Sequence, residues 1–186
     1  MDKLISISQD ISLVLSGADI SPLYMAHFIQ TASRKPHDSA ELPPGVLRVI
    51  ASLQTLAPVT QLYHVDSTYY TWPLYQRALC MLAPSPDHLC KTVVMENKKW
   101  RPDPRAGAQY LCVIVQYTQS IDTGLLADYM RSQIEDPVAR KHFNFRLTTP
   151  ERSFELTGFS NNAVSPLGHL PIVLCESIAQ LRPPVL

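Results

Sequence analysis

The eight residues at 110–117 (YLCVIVQY) restrict the fold more than any other stretch of the chain. They form a nearly continuous apolar run, rich in β-branched and aromatic side chains, which reads as a strand. A strand without polar alternation has to be covered on both faces. It therefore belongs near the middle of a sheet that carries helices on its surfaces.

The flanking segments supply those helices and further strands. Residues 2–16 place Leu4, Ile5, Ile7, Ile11, Val14 and Leu15 at helical spacing before Gly17, and Ser21-Pro22 opens a second helix reaching residue 32. An N-terminal helical hairpin is expected from these signals. RKPHDSAELPP at 34–44 reads as a linker, so residues 1–40 form an extension and 41–186 the main domain. A helix after Pro44 carries Val46, Leu47, Ile50, Leu53 and Leu56 and stops at Pro58. A strand at 60–65, a helix at 72–82 and a strand at 89–96 (LCKTVVME) come next. Asp122 or Thr123 caps a helix to Glu135, and a half-exposed strand at 142–148 turns Phe143, Phe145 and Leu147 inward. Thr148-x-x-Glu151 opens a short helix that Gly158 closes; a strand at 171–175 (PIVLC) and a helix at 176–181 follow. This order gives an α/β (α+β) domain, a mixed β-sheet flanked by helices.

Charge narrows the function classes. Sixteen basic residues balance sixteen acidic ones. That balance argues against affinity gained by wrapping nucleic acid, but not against gripping a nucleotide end. Cys80, Cys90, Cys112 and Cys175 lie far apart with no CxxC, and the histidines show no ligand spacing. Buried reduced thiols are expected, with neither metal nor cofactor. No signal-peptide pattern and no run near the roughly 20 apolar residues of a membrane span occur, so a cytoplasmic protein is expected.

Two features invite a ligand. Residues 156–171 (LTGFSNNAVSPLGHLP) hold two of the six glycines, two prolines and two adjacent asparagines. A loop of that composition presents backbone N–H and C=O groups. Lys91 shares a strand face with Leu89, Val93 and Met95, so its amine either snorkels past the sheet edge or is held in a cleft for use. Lys98, Lys99, Arg101 and Arg105, and the group Arg140, Lys141 and Arg146, are solvated charges or two patches flanking a phosphate-bearing ligand.

LCKTVVMEN at 89–97 and ELTGFSNNAVSPLGHLPIVLCESI at 155–178, in that order, resemble the YbaK/ProX family of aminoacyl-tRNA deacylases, to which the editing insert of bacterial prolyl-tRNA synthetases belongs. The resemblance covers residues 44–181. NKKW at 97–100, QYT at 116–118 and FNFRL at 143–147 are similar to a eukaryotic branch. It implies a catalytic role for Lys91 and a substrate-binding role for Gly158, Asn161, Asn162, Ala163, Val164, Ser165, Pro166, Gly168 and His169. Lys98, Lys99, Arg101, Arg140 and Lys141 become positions for tRNA. The family's G-x-x-x-P motif falls on residues 162–166, where Asn162 replaces the glycine. Asparagine tolerates positive φ better than most residues, so the turn is expected to survive.

The family continues beyond a segment like 176–181, whereas this chain stops at LRPPVL. A shortened domain is expected, or a sheet completed differently, for instance by a partner chain in a homodimer. The N-terminal hairpin, outside the match, is either a docking element for a synthetase or multisynthetase assembly or plain packing. The implied reaction is hydrolysis of the ester between a small amino acid (Ser, Thr or Ala) and the acceptor end of a non-cognate tRNA. The competing expectation is a non-catalytic tRNA- or synthetase-binding module with the same fold, which the neutral charge and Asn162 favour.

Overall fold

The computed structural model describes residues 4–6, 44–56, 65–167 and 170–182. Its five strands are β1 (Leu4–Ser6), β2 (Cys90–Asn97), β3 (Tyr110–Gln116), β4 (Phe145–Leu147) and β5 (Ile172–Cys175), in the order β1-β5-β3-β2-β4. β3 pairs antiparallel with β2, from Cys90↔Gln116 to Glu96↔Tyr110, and parallel with β5. The sheet is therefore mixed, and the domain is α+β. Helices α1 (Pro44–Leu56), α2 (Leu74–Cys80), α3 (Thr123–Ser132), α4 (Pro150–Thr157) and α5 (Glu176–Ala179) accompany it.

The apolar run at 110–117 does become the middle strand. Leu111, Cys112, Val113, Val115 and Gln116 are all buried, so both faces of β3 are covered. On one face Leu111 and Val113 form a cluster with Met95, Phe143, Phe145, Val173 and, from α3, Leu126 and Ala127. Burying a side chain such as Leu126 is worth about 1.5–3 kcal/mol. Asp122 starts α3 where it must, because its Oδ1 accepts from the N–H groups of Gly124 (2.7 Å) and Leu125 (3.0 Å).

Buried polar groups lock the sheet ends. Gln116 donates to the Asp87 carbonyl at 2.7 Å and accepts from the Ser177 hydroxyl, tying the start of β2 to α5. At the other end Asn97, 1% exposed, accepts from the N–H of Asn144 (2.9 Å) and of Lys99 (3.1 Å). One side chain thus fixes both the exit from β2 and the approach to β4.

Four local expectations change. Residues 4–6 are a strand rather than part of a helix, paired antiparallel with β5 from Leu4↔Cys175 to Ser6↔Val173. The open edge of β5 offers unpaired backbone groups, and filling them outweighs a helical pattern readable in either period. The rest of the expected hairpin, and the strand expected at 60–65 up to residue 64, lie outside the described residues. The strand expected at 142–148 contracts to Phe145–Leu147, preceded by a 3₁₀ turn at Arg140–His142. Leu147 is 64% exposed because it stands on an edge strand open to solvent. The cap of α4 is Thr149, not Thr148: Pro150 occupies the first turn, and the Thr149 hydroxyl accepts from Arg152 N–H at 3.2 Å.

The cysteines are free thiols, Cys112 buried and Cys80, Cys90 and Cys175 half-buried. Burial pushes the Cys90 and Cys112 thiols up to about 11, so both are protonated near neutrality. No helix among the described residues is long and apolar enough to cross a membrane.

Candidate functional site

Lys91 lies one residue into β2, opposite Val115 of β3, on the face that carries Val93 and Met95 to the core. The residue is half-buried. The amine stands 5.5 Å from the centroid of the Tyr117 ring, just beyond the end of β3. The aromatic face holds it at the sheet's end.

A second cation shares that ring. The Arg77 guanidinium of α2 lies 5.2 Å from the centroid of Tyr117, 5.7 Å from Tyr69 and 5.8 Å from Tyr70. Its Nε donates to the Trp72 carbonyl at 2.9 Å and its Nη2 to the Tyr70 carbonyl at 3.2 Å. The 3₁₀ turn at Tyr69–Thr71 is thereby pinned to α2. Burial raises the Tyr117 phenol, and the nearby Tyr70 adds to this while Arg77 opposes it; Tyr69 is likewise raised by burial. Both stay neutral at physiological pH.

The same turn reaches the glycine- and asparagine-marked loop. The Tyr70 hydroxyl donates to the carbonyl of Asn162 at 3.0 Å, across 92 residues of chain. Asn162 has φ +64°, the left-handed conformation expected where the resemblance implied a glycine. Ala163 N–H bonds back to the Ser160 carbonyl at 3.0 Å, and Ser165 Oγ accepts from Leu167 N–H at 3.2 Å, so the loop is folded on itself. Asn161, Asn162 and Ala163 are exposed; Val164, Ser165 and Pro166 are half-buried behind them. Gly168 and His169 lie outside the described residues.

Gly158 anchors the loop's entry. It ends α4 at φ +72°, and its N–H bonds to the Phe154 carbonyl at 2.6 Å. Arg48 of α1 donates to the Thr157 carbonyl at 3.1 Å and stacks 5.0 Å from the Phe159 ring, packing its guanidinium against the glycine. A Cβ at Gly158 would meet that guanidinium and a disfavoured φ together. Gly158→Ala is expected to destabilise the protein by about 1–2 kcal/mol. A urea titration checks this, and an unchanged midpoint would show that the left-handed cap is dispensable.

The basic residues proposed from sequence sit elsewhere. Lys98 follows β2 seven residues after Lys91, which along an extended strand is about 23 Å. Lys98 is paired with Glu96, Arg105 with Asp103 (2.9 Å), and Arg140 with Asp128. Their two segments do converge: Lys98 N–H donates to Asn144 O at 2.9 Å, and Arg101, Asp103, Arg105 and His142 line a hollow of about 200 Å³ with Ala106 and Val138. Lys99, Arg101 and Lys141 are exposed. This patch occupies the end of β2 opposite to Lys91.

Sequence reasoning missed Arg77, Tyr69 and Tyr70. The signal was present in STYYTWPLYQR at 67–77, an aromatic-dense stretch closed by one arginine. Three rings come within reach of a single guanidinium only when that stretch folds back on α2 and Tyr117 meets it from the end of β3.

No family model matches the chain, and no curated protein matches it. Among solved structures, one described as a candidate trans-editing enzyme for prolyl tRNA synthetase is similar with a TM-score of 0.51 and 22% identity, over 71% of this chain and 72% of that chain. Another, from epitope backbone grafting by computational design, has a TM-score of 0.46 and 19% identity, over 70% and 71% of the two chains. The first likeness shows a shared fold.

Proposed function

We propose that the chain is a trans-editing hydrolase that removes a small amino acid, Ser, Thr or Ala, from mischarged tRNA, as a eukaryotic member of the deacylase family it resembles. The observation that carries the reading is the run of contacts Lys91–Tyr117–Arg77–Tyr70–Asn162. It gathers the two stretches that resemble that family onto one end of one sheet. The fold shared with a candidate trans-editing enzyme supports the same reading.

The chemistry asks little of a nucleophile. A water oxygen adds to the ester carbonyl carbon, the bond to the ribose oxygen breaks, and the ribose hydroxyl leaves with a proton. What the site supplies is position, donors for the carbonyl oxygen as it gains negative charge, and a wall against larger side chains. An ammonium has three donors and no acceptor, so Lys91 holds an oxygen of the terminal ribose, phosphate or carbonyl rather than taking a proton. The loop 158–167, linked to Lys91 through Tyr70, Arg77 and Tyr117, supplies the backbone N–H groups, and a hydroxyl of the substrate itself activates the water. The exposed Asn161 and Asn162 amides suit a side-chain hydroxyl, which favours Ser or Thr. Contact with the acceptor stem through Lys99, Arg101 and Lys141, docking of the N-terminal segment on a synthetase assembly, a homodimer and a cytoplasmic site of action belong to the same proposal.

The test is incubation with Ser-, Thr- and Ala-charged tRNA, following release of the amino acid. Release above the protein-free rate for at least one of them is expected. Tight tRNA binding with no release above background would leave the non-catalytic module as the function.

A further inference from the structure

We infer that Tyr70 is a specificity-determining residue: its hydroxyl holds the Asn162 carbonyl and so sets how far the 158–167 loop closes over the Lys91 end of the sheet. The specificity role rests on the deacylase reading; the latch itself does not. Tyr70 is 52% exposed, so its hydroxyl could be satisfied by water, yet it spends its donor on one loop carbonyl at 3.0 Å. That carbonyl belongs to Asn162 at φ +64°, the tip whose geometry decides which way the next backbone groups face. The tyrosine is itself not free to swing. Its ring meets Tyr69 edge-on with centroids 5.4 Å apart, and its own carbonyl accepts from Arg77 at 3.2 Å. Arg77 also touches Tyr117, the ring beneath Lys91, at 5.2 Å. Arg77 is thus the positioning residue behind the latch, linking loop and lysine to one rigid helix, α2.

A wall that excludes larger amino acids works only at a fixed distance from the reacting carbonyl. Loss of one hydrogen bond at the tip lets the loop open, which admits larger side chains more than it slows small ones. Tyr70→Phe removes the hydroxyl and leaves ring packing intact.

Two readouts decide the matter. In hydrogen exchange of the whole chain, Tyr70→Phe should raise the exchange rate of amides at 160–164 by about three- to ten-fold and leave the β3 amides unchanged. Unchanged exchange at 160–164 overturns the latch, whether or not the protein hydrolyses any ester. On charged tRNA, the ratio of kcat/KM for the best small amino acid to that for Val should fall by about three- to ten-fold in the variant. A constant ratio with raised exchange overturns the specificity role. If the wild-type protein releases no amino acid, the deacylase reading and the specificity role fall together, and exchange alone judges the latch.

Discussion

Lys91→Ala is expected to lower kcat/KM for release of the amino acid from charged tRNA by roughly 10²–10³-fold, the usual loss when one preorganised donor is taken from a site of developing negative charge. Stability should barely move. The lysine is half-buried at a strand end, and its contact with Tyr117 at 5.5 Å is worth about 0.5–1 kcal/mol, which for a chain of this size shifts Tm by about 1–4 °C. A single-turnover assay together with a thermal melt separates the two effects. Lys91→Arg keeps the charge but replaces a compact ammonium with a planar fork, so it should restore binding of the tRNA end more than turnover. Wild-type turnover in Lys91→Ala would remove the lysine from the chemistry and return it to the role of a snorkelling strand residue.

Phe145→Ala should produce the largest loss of stability of any change considered, about 3–5 kcal/mol. Phe145 is 1% exposed and packs with Met95, Leu111, Val113, Leu126 and Phe143. It sits on a three-residue edge strand whose pairing with β2 runs only from Met95↔Leu147 to Asn97↔Phe145. Such a short strand is held more by its buried ring than by its backbone bonds, and the cavity left cannot be filled from the exposed Leu147. Against a total of about 5–15 kcal/mol, that loss leaves a marginal fold. In urea the midpoint should fall while the slope stays nearly constant. A drop below about 1 kcal/mol would mean that the core collapses around the gap, far more than large-to-small core changes usually permit.

The two variants also mark how differently fold and site were written in the chain. YLCVIVQY announced a covered central strand because burial on two faces leaves no room for polar alternation, and β3 is that strand. Asp122, Pro150 and Gly158 marked helix ends because caps and left-handed turns are local chemistry, readable from one residue and its neighbours. Lys91 stood out for the same kind of reason, a charge on an apolar face.

What sequence could not fix is who meets whom. Residues 4–6 carry a pattern that fits helix or strand, and only the open edge of β5 selects the strand. The basic residues at 98–105 and at 140–146 read as solvated charges or as two patches flanking a phosphate-bearing ligand, with no distance between them or to Lys91 legible. An extended strand carries Lys98 about 23 Å from Lys91, and folding sets the 98–105 segment against Val138, His142 and Asn144. Arg77 and Tyr70 from one stretch, Tyr117 and Asn162 come together from three segments far apart in the chain. Local propensity and burial are properties of short stretches, so the sequence by itself determined the covered central strand, the start of α3, the close of α4, the mixed α+β class and the anomaly of a lysine on an apolar strand face. Long-range contacts follow from topology, so only the tertiary structure decided that the lysine faces Tyr117, that Arg77 stands behind it, and that Tyr70 holds the loop.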